Sequence, residues 1–167
     1  MSPVSLLRSQ TWLAAGCAVA CFGLLAIGEI LQHGFGMQPC SWCVLQRLVF
    51  LLVGISCAAA ALAGRMRWLR TATAGLGGVL SVAGFGAAVY QQTVASKSAS
   101  CLLTLADRIV MALSLHELAP WMFMPTAPCN EANAPLLGIP FAIWSATAFA
   151  GLALASASIA FRSASGR

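Results

Sequence analysis

Two cysteines separated by two residues, Cys40 and Cys43, lie where a loop runs into a long apolar segment. A disulfide that closes so short a loop removes little entropy from the unfolded chain, so it is a poor structural bridge. Short, strained disulfides are typically the ones that are reduced and re-formed during catalysis. The Cys-Ser-Trp-Cys sequence, hereafter the CxxC motif, therefore predicts redox chemistry.

Arg47 brings a permanent positive charge close to the second cysteine of this motif. Because the apolar segment begins at Val44, Cys43 is predicted to lie at a helix N-terminus, where free amides and the helix dipole lower a thiol pKa from about 8.5. Arg47 would then lie on the same helical face, about 6 Å further along the axis. The structural alternative for Arg47 is snorkelling to the membrane interface. A cation beside a thiolate in a spanning segment favours an acceptor site for a small electron carrier.

The other five cysteines fall into two groups. Three lie inside apolar segments, where cysteine packs like a small aliphatic residue: Cys17, Cys21 and Cys57. Cys101 and Cys129 lie in a long connection and make an even set of four with the CxxC pair, which is typical of two disulfides in an oxidising compartment. Three pairings are possible, and spacing favours Cys40 with Cys43 and Cys101 with Cys129. The 27 residues between the last two form a loop whose closure would stabilise the fold by about 3 kcal/mol or more, so a structural role is equally consistent for that pair.

The same cysteines do not predict a metal site. Attachment of haem requires His directly after the second cysteine, and that residue is Val44. Structural zinc favours a second closely spaced pair, whereas Cys101 and Cys129 are 28 positions apart. His33 is expected at the end of the first helix and His116 on the wet face of a loop helix, and neither is given a catalytic role.

Composition indicates that the chain lies in a membrane. Hydrophobic residues make up 60% of the sequence and charged residues 8%, and the mean hydropathy is +0.87, unlike a soluble domain. Four apolar stretches have the ~20 residues that cross ~30 Å of hydrocarbon: 12–31, 44–63, 71–90 and 139–161. Backbone groups in lipid must be satisfied within each segment, and none alternates like a barrel strand. We therefore predict an all-α membrane protein, one integral membrane domain over 1–167 with a bundle of four transmembrane helices.

Two details of these stretches bear on the bundle. Residues 13–17 loosely resemble a lipidation box, but the apolar run before Cys17 is too short for a signal core and continues beyond it, so a retained helix is expected. The third stretch is rich in glycine, which suits close helix contacts in a bilayer: Gly75, Gly77, Gly78, Gly84 and Gly86.

Charge predicts the orientation. One side of the membrane carries arginines without acidic neighbours: Arg8, Arg65, Arg67, Arg70, Arg162 and Arg167. The other side carries two basic residues against three acidic ones, which leaves it at minus one: Lys97 and Arg108 against Asp107, Glu117 and Glu131. The positive-inside rule then puts both termini in the cytoplasm and the loops 32–43 and 91–138 in the periplasm. The net charge of +5 reflects this topology rather than nucleic-acid binding.

The long outward loop contains a predicted interfacial helix over 102–118. Its apolar face would be formed by residues at helical spacing: Leu105, Ile109, Ala112 and Leu113. With 17 residues and several charges it is too short and too polar for a fifth span, so it would hold Cys101 near the membrane plane. Three prolines then predict an irregular, mobile stretch around Cys129: Pro120, Pro125 and Pro128.

In combination, these motifs resemble the DsbB family of disulfide bond formation proteins. The resemblance rests on Gln32-His33, Pro39-Cys40-Ser41-Trp42-Cys43, Arg47, Cys101 and Cys129, and it covers all four spans and both outward loops. It implies a four-helix bundle in the bacterial inner membrane. It also implies an enzyme that reoxidises a periplasmic DsbA-like thiol oxidase and passes the electrons to ubiquinone or menaquinone, which sustains disulfide bond formation.

The resemblance further implies a role for each cysteine. Reduced DsbA would attack the bond between Cys101 and Cys129, and Cys101 would form the mixed disulfide. Cys129 would then attack Cys40, and this step would free Cys43 as a thiolate. Cys43 would donate to a quinone held near Arg47, and the disulfide of the CxxC motif would form again.

Two positions depart from the family pattern. Some members carry His just after the third span, where this chain has Gln91-Gln92. The residue before the arginine is often acidic in the family, and here it is Gln46. The resemblance therefore assigns no role to these glutamines.

Two other classes of protein share part of this pattern. An enzyme like vitamin K epoxide reductase also joins loop cysteines to a membrane CxxC motif and a quinone, but its motif lies late in the bundle, whereas this one opens the second span. A non-enzymatic tetraspan protein with structural disulfides is the non-catalytic alternative.

Overall fold

The computed structural model describes residues 3–97, 104–132 and 135–165. Four long helices in this part of the chain are apolar enough to cross a membrane, which confirms the predicted all-α, four-span fold. They are α1 (Pro3–Phe35), α2 (Ser41–Leu62), α3 (Arg67–Thr93) and, after the loop elements, α8 (Phe141–Ser165). Each helix is longer than its predicted span, because helical hydrogen bonding continues into the polar flanks beyond the hydrocarbon.

Short elements fill the loop between α3 and α8. They are a 3₁₀ turn (Ala95–Lys97), α4 (Leu105–Ala112), α5 (Leu115–Leu118), α6 (Pro120–Phe123), α7 (Cys129–Ala132), β1 (Pro135–Leu136) and β2 (Ile139–Pro140). The two strands pair in antiparallel fashion, and the backbone turns between them at Leu137 and Gly138, both with positive φ. This hairpin was not predicted, and it leads the chain directly into α8.

Small residues allow α3 to pack closely against α8, its most extensive neighbour in the bundle. A Cβ placed on Gly84 would lie 2.5 Å from the ring of Phe149, so this glycine makes room for the ring. The ring of Phe149 stacks on that of Phe50 in α2, with centroids 4.0 Å apart. The prediction that glycine serves helix contact therefore holds at Gly84 but not at Gly86, where a Cβ would meet nothing within 4 Å.

Arg70 differs from its predicted place in the connection between the second and third spans. It lies in the first turn of α3 and is only 2% exposed. Its guanidinium donates to oxygens of α1 and of the end of α2, namely Gln10 Oε1, Thr11 Oγ1, the Ala60 carbonyl and the Gly64 carbonyl. Arg70 therefore ties three helices together at the end of the bundle opposite the CxxC motif.

The predicted single helix over 102–118 is wrong in one respect, its continuity, within the described residues from 104 onward. The chain breaks between α4 and α5 at Ser114, which takes a left-handed conformation with φ of 48°. Ala106 and Val110 form the face of α4 that is buried in the protein, and Ile109 packs beside them, whereas Leu105 and Leu113 are exposed at the protein surface. The small side chain of Ala106 allows α4 to approach α2 closely, and periodicity alone did not reveal this contact.

The stretch around Cys129 is also more regular than predicted. Cys129 begins one turn of helix, α7, directly after Pro128. The carbonyl of Pro128 accepts hydrogen bonds from the backbone N–H groups of Glu131 and Ala132. A proline before a helix is compatible with its start, because the missing N–H is not needed there.

The contact between Gly84 and Phe149 yields a test of the bundle packing. We expect Gly84→Ala to lower the stability by about 1–3 kcal/mol, because the added methyl group would force the Phe149 ring to move. Thermal unfolding in detergent measures the loss. The matched control is Gly86→Ala on the same helix, which we expect to be neutral or slightly stabilising. Equal melting temperatures for the two variants would contradict the role given to Gly84.

Candidate functional site

The CxxC motif forms the first turn of α2. Cys40 is the N-cap residue, and its carbonyl accepts the first helical hydrogen bond from the N–H of Val44 at 2.9 Å. Cys43 is the third helical residue, so the prediction that it lies at a helix N-terminus is confirmed. The two sulfur atoms lie 3.1 Å apart, and both residues are buried.

The loop that carries Cys129 is hydrogen-bonded to the residue before the motif. The carbonyl of Pro39 accepts from the backbone N–H groups of Thr126 and Ala127, at 2.9 and 3.3 Å. Cys129 then packs into the same cluster as Cys40, Trp42 and Cys43. Three of the four loop cysteines are thus brought together, while Cys101 lies outside the described residues.

The contact between Cys40 and Cys129 shifts the pKa values of the two thiols in opposite directions. A hydrogen bond between the two side chains lowers the pKa of the Cys129 thiol, and the backbone N–H of Trp42 acts in the same direction. The pKa of the Cys40 thiol is raised, first by its hydrogen bond with Cys129 and then by that with Cys43. Since the thiolate is the nucleophile in disulfide exchange, Cys129 is the sulfur better prepared to attack.

Asp107 fastens α4 onto the CxxC motif. Its carboxylate accepts hydrogen bonds from the Ser41 hydroxyl and from the N–H and hydroxyl of Thr104, the last two at 2.8 and 2.6 Å. Thr104 in turn accepts from the N–H of Asp107, which completes a capping box at the start of α4. Burial alone would raise the pKa of Asp107, but the bonds from Ser41 and Thr104 outweigh it and lower that pKa.

Arg47 is held inside the protein rather than extended to solvent. Its side chain is 12% exposed and lies 2.9 Å from the carboxylate of Glu29. The guanidinium also donates to Gln32 Oε1 at 2.6 Å, to the Met122 carbonyl at 2.9 Å and to the Gly28 carbonyl at 3.4 Å. These partners argue against snorkelling, because they fix the cation between α1, α2 and α6.

A cavity of about 560 Å³ opens beside Arg47. It lies between α1, α2, the hairpin and α8, and most of its lining is apolar, including Leu25, Phe50, Phe141 and Trp144. Cys43, Gln46 and Arg47 supply polar groups from α2. Cys43 and Arg47, which the sequence placed on one helical face, therefore border the same cavity. Its volume is in the range of small-molecule sites.

Two residues of the site were not identified from the sequence. Glu29 stands against Arg47, and a carboxylate inside an apolar stretch was the signal that could have found it. Gln91 is fully buried, and its side-chain amide donates to Cys43 Sγ at 3.1 Å and to Cys40 Sγ at 3.7 Å. Only its place after the third predicted span, where the chain departs from the family pattern, marked it in advance.

Each of the two histidines stands beside a carboxylate. His33 Nε2 is 3.1 Å from the Trp121 carbonyl and 3.4 Å from Glu29. His116 stands 3.8 Å from Glu117. Within the part of the chain that the structure describes, no group of three or more His, Cys, Asp or Glu side chains is placed to hold a metal ion.

Comparison with known proteins matches this geometry to one family. The family model described as "Disulfide bond formation protein DsbB" matches residues 10–159. This chain belongs to the DsbB family. Its membership confirms the resemblance, and it identifies a multi-pass membrane protein of disulfide bond formation and a disulfide oxidoreductase.

Curated relatives of this DsbB family member cover nearly its whole length. Disulfide bond formation protein B of Dechloromonas aromatica (strain RCB) is 35% identical over 86% of this chain and 87% of its own length. Disulfide bond formation protein B of Polaromonas naphthalenivorans (strain CJ2) is 31% identical over 95% of this chain and 96% of its own length. No solved structure shows a significant match. Membership in the DsbB family favours redox chemistry over a tetraspan protein with structural disulfides.

The attachment of α4 to the CxxC motif can be measured through Asp107. We expect Asp107→Ala to lower the stability by about 1–2 kcal/mol at neutral pH, because the N-cap bonds and the bond from Ser41 are lost. The folded pKa of Asp107 is depressed, so this stabilisation is complete above the ordinary value of 3.8 and is lost as the pH falls through the lower folded value. Thermal unfolding of both proteins from pH 7 to pH 2 should show their difference shrink only below pH 3.8.

Arg108→Ala provides the control for this experiment. Arg108 is the next residue on α4 and is exposed, so we expect little change in stability at any of these pH values. A stability difference between wild type and Asp107→Ala that persists undiminished at pH 2 would contradict the assigned role of the carboxylate.

Proposed function

We propose that this protein is a thiol:quinone oxidoreductase of the bacterial inner membrane. It would reoxidise a periplasmic DsbA-like thiol oxidase and pass the electrons through two disulfides to ubiquinone or menaquinone. One observation carries this proposal: Cys40 contacts Cys129 of the loop, while Cys43, three residues later, borders the cavity that contains Arg47. The two sulfurs of one motif thus face two different electron partners.

The cavity fits a quinone in size and in chemistry. A volume of about 560 Å³ accommodates a substituted ring and the beginning of an isoprenoid chain. The apolar lining suits the ring and the chain, and Cys43 and Arg47 supply a redox-active sulfur and a fixed cation. A quinone bound there would accept the two electrons and two protons that a dithiol releases when it becomes a disulfide.

The cysteines would carry the electrons in two exchange reactions. In the first, a thiolate of the reduced DsbA-like protein attacks Cys101, the bond from Cys101 to Cys129 breaks, and Cys129 leaves as a thiolate. In the second, Cys129 attacks Cys40, and Cys43 leaves as a thiolate. The lowered pKa of Cys129 supports both steps, because it makes this sulfur a good leaving group and keeps it ionised for its own attack.

The loop cysteines must then return to their disulfide. The second thiol of the DsbA-like protein displaces Cys101, and Cys101 attacks Cys129 to free Cys40. Cys40 and Cys43 are now the reduced pair, and their oxidation restores the motif. Two electrons and two protons have moved from the partner to the CxxC motif, and the loop is unchanged.

Arg47 would stabilise negative charge in the cavity. A guanidinium that donates hydrogen bonds to two elements, α1 and α6, is held in place when charge develops nearby, so it acts without reorganisation. Glu29 compensates its charge and holds it in place. The positive-inside pattern supports cytoplasmic termini, because it puts the CxxC motif and the loop of Cys129 at the periplasmic face.

The proposed electron path is tested by removing its last sulfur. Purified protein is mixed anaerobically with a reduced thioredoxin-like partner and excess ubiquinone, and quinol absorbance is followed. We expect Cys43→Ala to abolish turnover, because no sulfur would remain between Cys40 and the cavity. The control is Cys17→Ala, a buried cysteine of α1, which we expect to keep nearly full activity. Undiminished turnover in Cys43→Ala would refute the mechanism.

The proposed role of Arg47 is tested by quinone titration. We expect Arg47→Ala to raise the apparent KM for quinone by about tenfold, the size of effect given by a lost charge-assisted hydrogen bond. Arg65→Ala, at an exposed arginine of the connection between α2 and α3, is the control and should leave KM unchanged. An unchanged KM in Arg47→Ala would return Arg47 to a purely structural role.

A further inference from the structure

Gln91 connects the CxxC motif to α3 through its side-chain amide. The residue is fully buried, and its Nε2 lies 3.1 Å from Cys43 Sγ and 3.7 Å from Cys40 Sγ. It is therefore a neutral donor aimed at both sulfurs of the motif. The nearer contact is to Cys43, the sulfur that the proposed mechanism releases as a thiolate.

Gln46 fixes the direction of this donor. Its Nε2 donates to Gln91 Oε1 at 2.6 Å, and Gln46 is itself buried. An amide that accepts at its oxygen must present its N–H₂ group elsewhere, so the bond from Gln46 leaves Gln91 Nε2 facing Cys43. The reverse orientation would place a carbonyl oxygen against a thiolate, which is repulsive.

We propose that Gln91 is a catalytic residue that stabilises the Cys43 thiolate by donating a hydrogen bond, and that Gln46 is the positioning residue that keeps the donor aimed. The proposal rests on the proposed function, because it concerns the thiolate that forms when Cys129 attacks Cys40. It gives roles to both positions at which this chain departs from its family pattern.

An amide suits this task because it neither gains nor loses a proton. A buried thiolate is costly unless donors face it, and an amide N–H is present at every pH at which the enzyme works. The charged groups near this site are Arg47, which borders the cavity with Cys43, and Asp107, which stands near Cys129 on the loop side. Glu29 is paired with Arg47. The hydrogen bond from Gln91 to Cys43 therefore does not depend on the protonation state of these charged groups.

The position of Gln91 relative to the cavity separates its effect from that of Arg47. Cys43, Gln46 and Arg47 line the cavity, but Gln91 approaches the sulfur from α3 and does not line it. Removing the Gln91 donor should therefore lower kcat and leave the KM for quinone unchanged. In Arg47→Ala, by contrast, the KM for quinone is expected to rise.

The first measurement needs no quinone. The reduced protein is treated with methyl methanethiosulfonate over a range of pH, and modification of Cys43 is quantified by mass spectrometry. We expect Gln91→Met, which keeps the length of the side chain and removes the donor, to move the midpoint for Cys43 upward by about one pH unit. Gln46→Met should move it in the same direction by a smaller amount, because Gln91 keeps its donor but loses its orientation.

The second measurement is quinol formation. We expect kcat to fall about tenfold in Gln91→Met with KM unchanged, the rate equivalent of a one-unit shift. The control is Ser81→Ala, another buried polar residue of α3, whose hydroxyl donates to the Gly77 carbonyl of its own helix. It should match wild type in both measurements, which separates the donor from a general loss of polar groups in α3.

The outcomes distinguish this proposal from the proposed function. Absence of quinol formation in wild type would refute the proposed function, while the pH midpoint of Cys43 would still report on Gln91. An unchanged midpoint in Gln91→Met, in protein that unfolds at the wild-type temperature, would overturn the proposal for Gln91. If Gln91→Met fails to fold, an unchanged midpoint in Gln46→Met would overturn it instead.

Discussion

The interaction on which the site depends is the binding of one guanidinium inside an apolar bundle. The side chain of Arg47 is mostly buried, so each N–H group of its guanidinium needs a hydrogen-bond acceptor in the protein. Glu29 and Gln32 come from α1, and the Met122 carbonyl comes from the loop. Satisfying this cation therefore fixes how α1, α2 and α6 meet. The cavity opens beside this meeting point, and Arg47 itself forms part of its lining.

The start of α2 gives the CxxC motif two different surroundings. Cys40 caps the helix and faces α4 and α7, while Cys43 lies in the first turn and borders the cavity. Asp107 and Pro39 keep the loop against the cap. Within one helical turn, Cys40 therefore lies beside the cysteine of the loop, and Cys43 lies beside the apolar cavity. In the proposed mechanism this separation lets a water-soluble dithiol and a membrane-soluble acceptor use the same pair of atoms.

The sequence predicted what depends on composition and local spacing, and it missed what depends on packing. Span number followed from apolar length, and the position of Cys43 at a helix N-terminus followed from the break at the motif. The burial of Ala106 of α4 beside the start of α2 was not predicted, because a small residue that permits close contact leaves no mark in the hydrophobic pattern. The bond from Gln91 to Cys43 joins residues 48 positions apart, and no local pattern reports such a contact.

The stacking of Phe50 on Phe149 has a consequence for how the protein responds to its lipid. Phe50 lines the cavity, and the ring against which it stacks is seated over Gly84 of α3. The position of this part of the cavity wall therefore depends on the association of α2, α3 and α8. If lateral pressure in the bilayer changes the spacing of those helices, Phe50 would transmit the change to the width of the cavity. Under the proposed function, membrane composition and acceptor affinity would be linked through a single aromatic pair.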